Sequence, residues 1–135
     1  MPANTQPIFP LTPNIGMGTV LTANTALDGT GTIVTLLTAG ANGSIVDSLT
    51  VYHLGTNIAT VLRLFIKDGS NYSLFFEETI AANTISQTAK STSYEYVFDG
   101  ISRKKLTLKA NAQIVGSVGT TIASGLRCTL LGGDF

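Results

Sequence analysis

The sequence contains no tryptophan, one histidine and one cysteine, and each shortage closes off a class of function. Cys128 alone cannot build an internal disulfide framework or a cysteine-based zinc site. In the context LRCTLL it reads as a small apolar core residue. His53 alone cannot supply a multi-histidine metal shell, and TVYHLG places it near the end of a strand, where a structural role is expected. Charge is also scarce: only 12% of residues are Asp, Glu, Lys or Arg, and eight basic residues balance eight acidic ones. Such a chain is not built to neutralise nucleic-acid phosphates, and its low charge favours association. No run approaches the roughly 20 apolar residues that span a bilayer as a helix. The beginning, MPANTQPIFPLTPN, lacks the basic region and continuous apolar core of a secretory signal. The expectation is a soluble chain made in a cytoplasm, with neither a membrane nor a nucleic acid as partner. Asn42-Gly43-Ser44 and Asn71-Tyr72-Ser73 then serve as turns rather than glycan sites.

What is present is 44% hydrophobic residues, with Thr, Ser, Asn and Gly making up most of the rest. That mixture suits short β-strands joined by tight turns. The stretch VLRLFIKDGSNYSLFFEE, starting at Val61, places two runs of branched and aromatic residues around Asp68-Gly69-Ser70-Asn71, the pattern of a β-hairpin. Because strand side chains alternate, Leu62, Leu64 and Ile66 share one face and Val61, Arg63, Phe65 and Lys67 the other. In the second arm Tyr72, Leu74 and Phe76 are expected to share a face, opposite Ser73, Phe75 and Glu77. A hairpin of this kind needs further strands to stand in water.

Those strands are legible on both sides. Thr19 to Thr22, Thr32 to Thr38 and Ser44 to Leu54 precede the hairpin; Tyr94 to Phe98, Lys105 to Ala110, Gln113 to Val118 and Thr121 to Leu131 follow it. Gly, Asn or Asp punctuate them every eight to twelve residues, the spacing of a sandwich or barrel. The segment from 81 to 93, AANTISQTAKSTS, has no period and reads as a long crossover of Greek-key type. Pro2, Pro7, Pro10 and Pro13 make residues 1 to 15 an extended arm, followed by one domain over 16 to 135. The fold class is therefore all-β: an antiparallel β-sandwich, jelly-roll or Greek-key like, of eight to nine strands with an extended N-terminal arm.

No motif announces a chemistry. Glu77 and Glu78 are adjacent on a strand, so they point to opposite faces and cannot act together as an acid and base pair. Gly16-Met17-Gly18 and Gly29-Thr30-Gly31 lack the third glycine of a dinucleotide fingerprint and read as turns. Ser102-Arg103-Lys104-Lys105 matches Ser-x-x-Lys without its companion motifs. The cluster Arg103, Lys104 and Lys105, with Lys109 beyond it, is the one local excess of charge. It reads as a turn that blunts a strand edge or pairs with acidic groups on a neighbouring subunit. No catalytic, cofactor-binding or metal-ligating residue is assigned, and no cofactor is expected.

Two stretches carry a resemblance. LDGTGTIVTLLTAGANGSIVDSLTV (Leu27 to Val51) runs into the hairpin, and the chain ends ASGLRCTLLGGDF (Ala123 to Phe135). Together the TAGANGS turn, the R-L-F-I-x-D-G hairpin and the terminal Gly132-Gly133-Asp134-Phe135 resemble small all-β structural proteins of tailed bacteriophages and prophages, similar in size and texture to capsid decoration or cement proteins. Where that group has an aliphatic-Pro-Ala-Gly segment, this chain has Ile101 to Lys105, ISRKK. The resemblance implies a virion protein without enzymatic activity, assembled as a homo-oligomer, commonly a trimer, on the major capsid protein or another virion protein. Residues expected at its interfaces are Ile8, Phe9 and Leu11 in the arm, Phe135 at the other end, and Arg103, Lys104 and Lys105. A tail, baseplate or fibre-associated module shares the same texture. A carbohydrate-binding jelly roll is a further alternative, although such modules usually display exposed aromatics, often Trp, and this chain has no Trp, with Tyr52, Tyr72, Tyr94 and Tyr96 as its only tyrosines.

Overall fold

The computed structural model describes residues 9–135, which form nine strands and no helix. They are β1 (Thr12–Val20), β2 (Val34–Thr38), β3 (Ser44–His53), β4 (Thr60–Asp68), β5 (Asn71–Ile80), β6 (Ser93–Val97), β7 (Leu106–Leu108), β8 (Gln113–Val118) and β9 (Leu126–Asp134). One sheet has the order β1-β9-β3-β6, with β7 also paired to β3; the other has the order β2-β8-β4-β5. Every ladder is antiparallel. Only the β4–β5 pair is a simple hairpin; most other connections cross from one sheet to the other. Two interlocked Greek keys of this order make a jelly-roll β-sandwich.

The core lies between the sheets. Leu49 and Val51 of β3, Leu62 and Leu64 of β4, Ile114 of β8 and Leu126, Cys128 and Leu130 of β9 are fully buried. Each such aliphatic side chain contributes roughly 1.5–3 kcal/mol by leaving water, and their alternation along the strands fixes the register, since a slip by one residue would turn them all outward.

Three departures from the alternation pattern matter for function. The first is at the N-terminus, where β1 begins at Thr12, inside the range read as an arm. Pro13 is accommodated because β1 is an edge strand with one free side. Gly16-Met17-Gly18, read as a turn, lies instead within β1: both glycines face β2, where a Cβ at Gly18 would come within 2.5 Å of the Leu36 side chain. A side chain there would push apart the two strands that close this side of the sandwich.

The second departure is a bulge in the central hairpin. Leu64 pairs with Phe76 and Phe65 with Leu74, so Phe75 is an extra residue. The expected shared face of Tyr72, Leu74 and Phe76 is thereby split: Phe76 faces the core, while Leu74 lies opposite Phe65 on the outer face. Phe65 and its neighbour Val115 across β8 are fully buried although they sit outside the main core cluster. The connection 21–33 covers that face. Asn24 donates from its backbone to the Val118 carbonyl at 2.8 Å, and Gly29 packs on the Tyr72 ring. Asn24 also holds the connection in shape, donating from Nδ2 to the carbonyls of Thr30 and Thr32, both at 2.8 Å.

The third departure is in the strand after the long crossover. β6 pairs with Ser48–Tyr52 and β7 with Ser44–Val46 of the same strand β3, and the Phe98 N–H reaches the Asp47 carbonyl at 2.8 Å. They are one strand interrupted by an excursion over residues 99–105.

Candidate interaction surfaces

Among the described residues no group of three or more His, Cys, Asp or Glu side chains comes together. His53 is buried at one end of the sandwich, where its Nδ1 accepts from Asn57 Nδ2 at 3.1 Å. Burial lowers its pKa below the ordinary 6.5, with a smaller opposing effect from the Ala81 backbone. Burial likewise pushes the Cys128 thiol up to about 12, which leaves no thiolate for nucleophilic chemistry. Glu77 and Glu78 point apart as their adjacency requires: Glu77 bonds Arg63 Nε at 2.7 Å and Glu78 bonds Arg103 Nη2 at 2.6 Å.

Two surfaces stand out instead. One is the outer face of the sheet built on β1, β9, β3 and β6. Ile15 of β1 lies opposite Leu131 of β9, Leu131 opposite Ser48 of β3, and Ser48 opposite Val97 of β6. This row crosses the sheet, and its Ile15, Leu131 and Val97 are all exposed. The next row is Met17, Thr129, Thr50 and Glu95, and the third is Thr19, Arg127, Tyr52 and Ser93. Apolar and hydroxyl groups dominate, with one charge of each sign. Ile15 and Met17 are 59% and 60% exposed. The other sheet has its outer face covered by the 21–33 connection; among the described residues nothing equivalent covers this one.

The second surface is a cleft of about 720 Å³ on the opposite side from β1 and β2, where the edges of β5 and of β6–β7 stay apart. Its floor is Phe75, Phe76 and Phe98, and its outer wall is the excursion from Gly100 to Lys105. Asp99 shapes that wall by accepting the N–H groups of Ile101 at 2.8 Å and Ser102 at 2.9 Å, bonds that hold its carboxyl below the ordinary 3.8. Arg103 is folded inward, its guanidinium 4.7 Å from the Tyr96 ring centre and 5.1 Å from that of Phe76. The two rings meet edge to face at 4.9 Å, and burial, followed by the Glu78 charge, raises the Tyr96 phenol above its ordinary 10. Arg103 is thus a structural cation, held by two aromatic faces and a carboxylate.

The residues expected at interfaces are distributed over the molecule. Ile8 lies outside the described residues. Phe9 and Leu11 are exposed, Leu11 at 84%, and the Leu11 N–H donates to the Asp134 carbonyl at 2.7 Å, which brings the arm beside Phe135. Phe135 is half-buried, its N–H on the Gly43 carbonyl at 3.1 Å. Arg103, Lys104 and Lys105 gather at the cleft, on the opposite edge of the sheet from the arm. Sequence reasoning passed over Met17, Leu131, Val97 and Ile101. The alternation of Ile15 and Met17 with glycine carried a signal for the first of these, hidden because Gly-Met-Gly was read as a turn. A scan of protein-family models finds none that matches this chain, and a search of curated proteins finds no match either. No helix among the described residues is long and apolar enough to cross a membrane.

Proposed function

We propose that the protein is a structural component of a bacteriophage virion, a decoration or cement protein that binds the outer shell as a homo-oligomer and strengthens it. The observation that carries this reading is the exposed row Ile15, Leu131 and Val97, set on a four-strand platform that nothing covers among the described residues and continued at one corner by Phe9 and Leu11. Exposed apolar surface of that extent marks an interaction site, and side chains fixed on strands lose little entropy on binding. The resemblance of the TAGANGS turn, the hairpin and the terminal Gly-Gly-Asp-Phe supplies the biological setting. The mechanism is mechanical: subunits related by symmetry, three at a local three-fold axis, bury this face against one another and against the major capsid protein. Many interfaces of modest size then crosslink the shell against internal pressure, and no reacting group is required.

The test is a native mass measurement followed by imaging of the particle. The expected result is a trimer that binds phage shells, with density on the outer surface. A double substitution, Ile15→Asp with Leu131→Asp, places charge on two outward side chains and should abolish both trimer and shell binding without unfolding the domain. A wild-type monomer without affinity for shells would overturn the proposal, and density at the tail or baseplate would move the same brick to another part of the particle.

A further inference from the structure

The cleft at the β5 and β6–β7 edges has a charge imbalance that the fold does not resolve. Of the carboxylates on the strands and the excursion that border it, Glu78 is taken by Arg103, Glu77 by Arg63, Asp68 by Lys109 at 3.0 Å, and Asp99 by the backbone of its own turn, while Glu95 of β6 lies in the outer-face row of its sheet. Lys104 and Lys105 have no acidic partner among the described residues, and both are exposed on the cleft wall. Beside them Ile101 is 91% exposed, an aliphatic side chain held out at the rim by the turn that Asp99 caps. Below lie the aromatic floor and, on both sides, strand edges: β5 ends one sheet and β6–β7 ends the other. Such edges offer unpaired N–H and C=O groups to an extended chain. Apolar floor, cationic rim and free strand edges together describe a site for one kind of ligand.

We propose that this cleft docks an extended segment of a partner polypeptide in which a bulky apolar side chain is flanked by carboxylates. The apolar group enters between Phe98 and Ile101, and the carboxylates meet Lys104 and Lys105. The occupant is a partner rather than this chain's own arm, because the described arm residues are uncharged and lie at the far edge of the sheet. The inference rests on the virion reading for the partner's identity, a shell protein, but its chemistry is fixed by the cleft alone. It also assigns a task to the ISRKK excursion, which interrupts a strand that would otherwise run unbroken along β3.

The test uses the intact protein and a short probe peptide, Glu-Phe-Glu flanked by glycines and blocked at both ends, with versions carrying Gln or Lys in place of Glu. Amide chemical shifts are followed through titration. The expected result is a saturable response at residues 74–78 and 98–106 to the acidic peptide alone, weakening as salt is added. Lys104→Glu with Lys105→Glu should reduce its affinity roughly tenfold and shift preference to the Lys version. Ile101→Ser removes only an exposed side chain and should weaken binding while the remaining spectrum is unchanged. Equal responses to all three peptides, a response located elsewhere, or none would overturn the proposal. So would peptide-independent, concentration-dependent changes at the same residues, which would make a second copy the occupant. Shell binding is a separate assay: its loss in a protein that still binds the acidic peptide would count against the virion reading and leave the cleft's chemistry standing.

Discussion

One side chain, Asn57, ties three segments of the chain together at the end of the sandwich opposite the arm. Its Oδ1 accepts the Ser124 N–H at 2.8 Å, and its Nδ2 donates to the Gly125 carbonyl at 2.9 Å and to His53 Nδ1. The two backbone groups fix which end of the amide faces the ring, so His53 must be neutral with its proton on Nε2. Asn57→Ala would leave a buried N–H, a carbonyl and an imidazole nitrogen unpaired, a cost of about 3 kcal/mol read from chemical denaturation. Among the described residues no charged group opposes protonation by direct contact: Arg127 of β9 points to the outer face, Lys90 is exposed in the crossover, and the neighbouring Tyr94 oxygen is engaged by the Ala81 N–H at 2.9 Å. Protonation instead sets donor against donor at Nδ1. Since the folded pKa lies below the unfolded 6.5, the unfolded chain takes up the proton first. This contribution to stability is whole above about pH 6.5 and is lost as the pH falls below it. The urea midpoint should therefore fall from about pH 7 to pH 5, and this slope should vanish in His53→Gln whatever that variant's absolute stability. Cys128 offers a second residue-scale check. With its pKa near 12 and its side chain fully buried, it should resist thiol reagents in the native protein and react once denaturant unfolds the chain; rapid native labelling would mean that β9 opens locally.

At the scale of elements, the bulges decide which predictions from pattern succeed. The β4–β5 hairpin was legible because Asp68-Gly69 supplies a turn with positive φ, 61° at Gly69, between runs of strand formers. β3 and β8 were legible because each buries its face against both neighbours. β1 was legible only at its end, Thr19 and Val20, since the prolines and glycines before them are poor strand residues by propensity, and only the neighbouring β9 and the close approach of β2 make them acceptable. Phe65 on the mixed face is buried by a connection far away in sequence, which no local period reveals. The basic residues at 103–105 were correctly placed at a turn, but the two aromatic faces that capture Arg103 come from β5 and β6 and needed the fold. The bulge in β3 at Asp47 shifts its register on β9, with Val46 opposite Gly132 and Ser48 opposite Leu131. A Cβ at Gly132 would overlap the Ile45 carbonyl oxygen and sit 3.0 Å from the Val46 Cα. This β3 backbone cannot yield without breaking the ladder, so Gly132→Ala should cost more than about 3 kcal/mol in a denaturant titration. An alanine tolerated there would mean that the bulge is dispensable.

For the whole molecule, the decisive pairing is that of the first strand with the last. β9 lies between β1 and β3, so the sheet bearing the exposed face cannot form until the C-terminal strand arrives. Closing a loop of nearly the full chain length is entropically expensive and slows folding. Yet the two ends finish side by side, with Thr12 opposite Asp134. A circular permutant can exploit this: a short linker joins Phe135 to Pro10, and new ends open between Thr88 and Ala89, in an exposed part of the crossover whose only side-chain bonds at that point are local, between Ser86 and Thr88. The jelly roll should survive, because no core residue or ladder is cut. Refolding followed by stopped-flow fluorescence of the tyrosines should become faster, since the β1–β9 ladder turns from the longest-range pairing into a hairpin-like local one. An unchanged rate with an unchanged native state would place the β1–β9 pairing after the folding transition state. The same permutant ties down the corner where Leu11 and Phe135 meet, so a folded permutant that no longer enters the assembly would locate part of the interface at that corner rather than on the flat sheet alone.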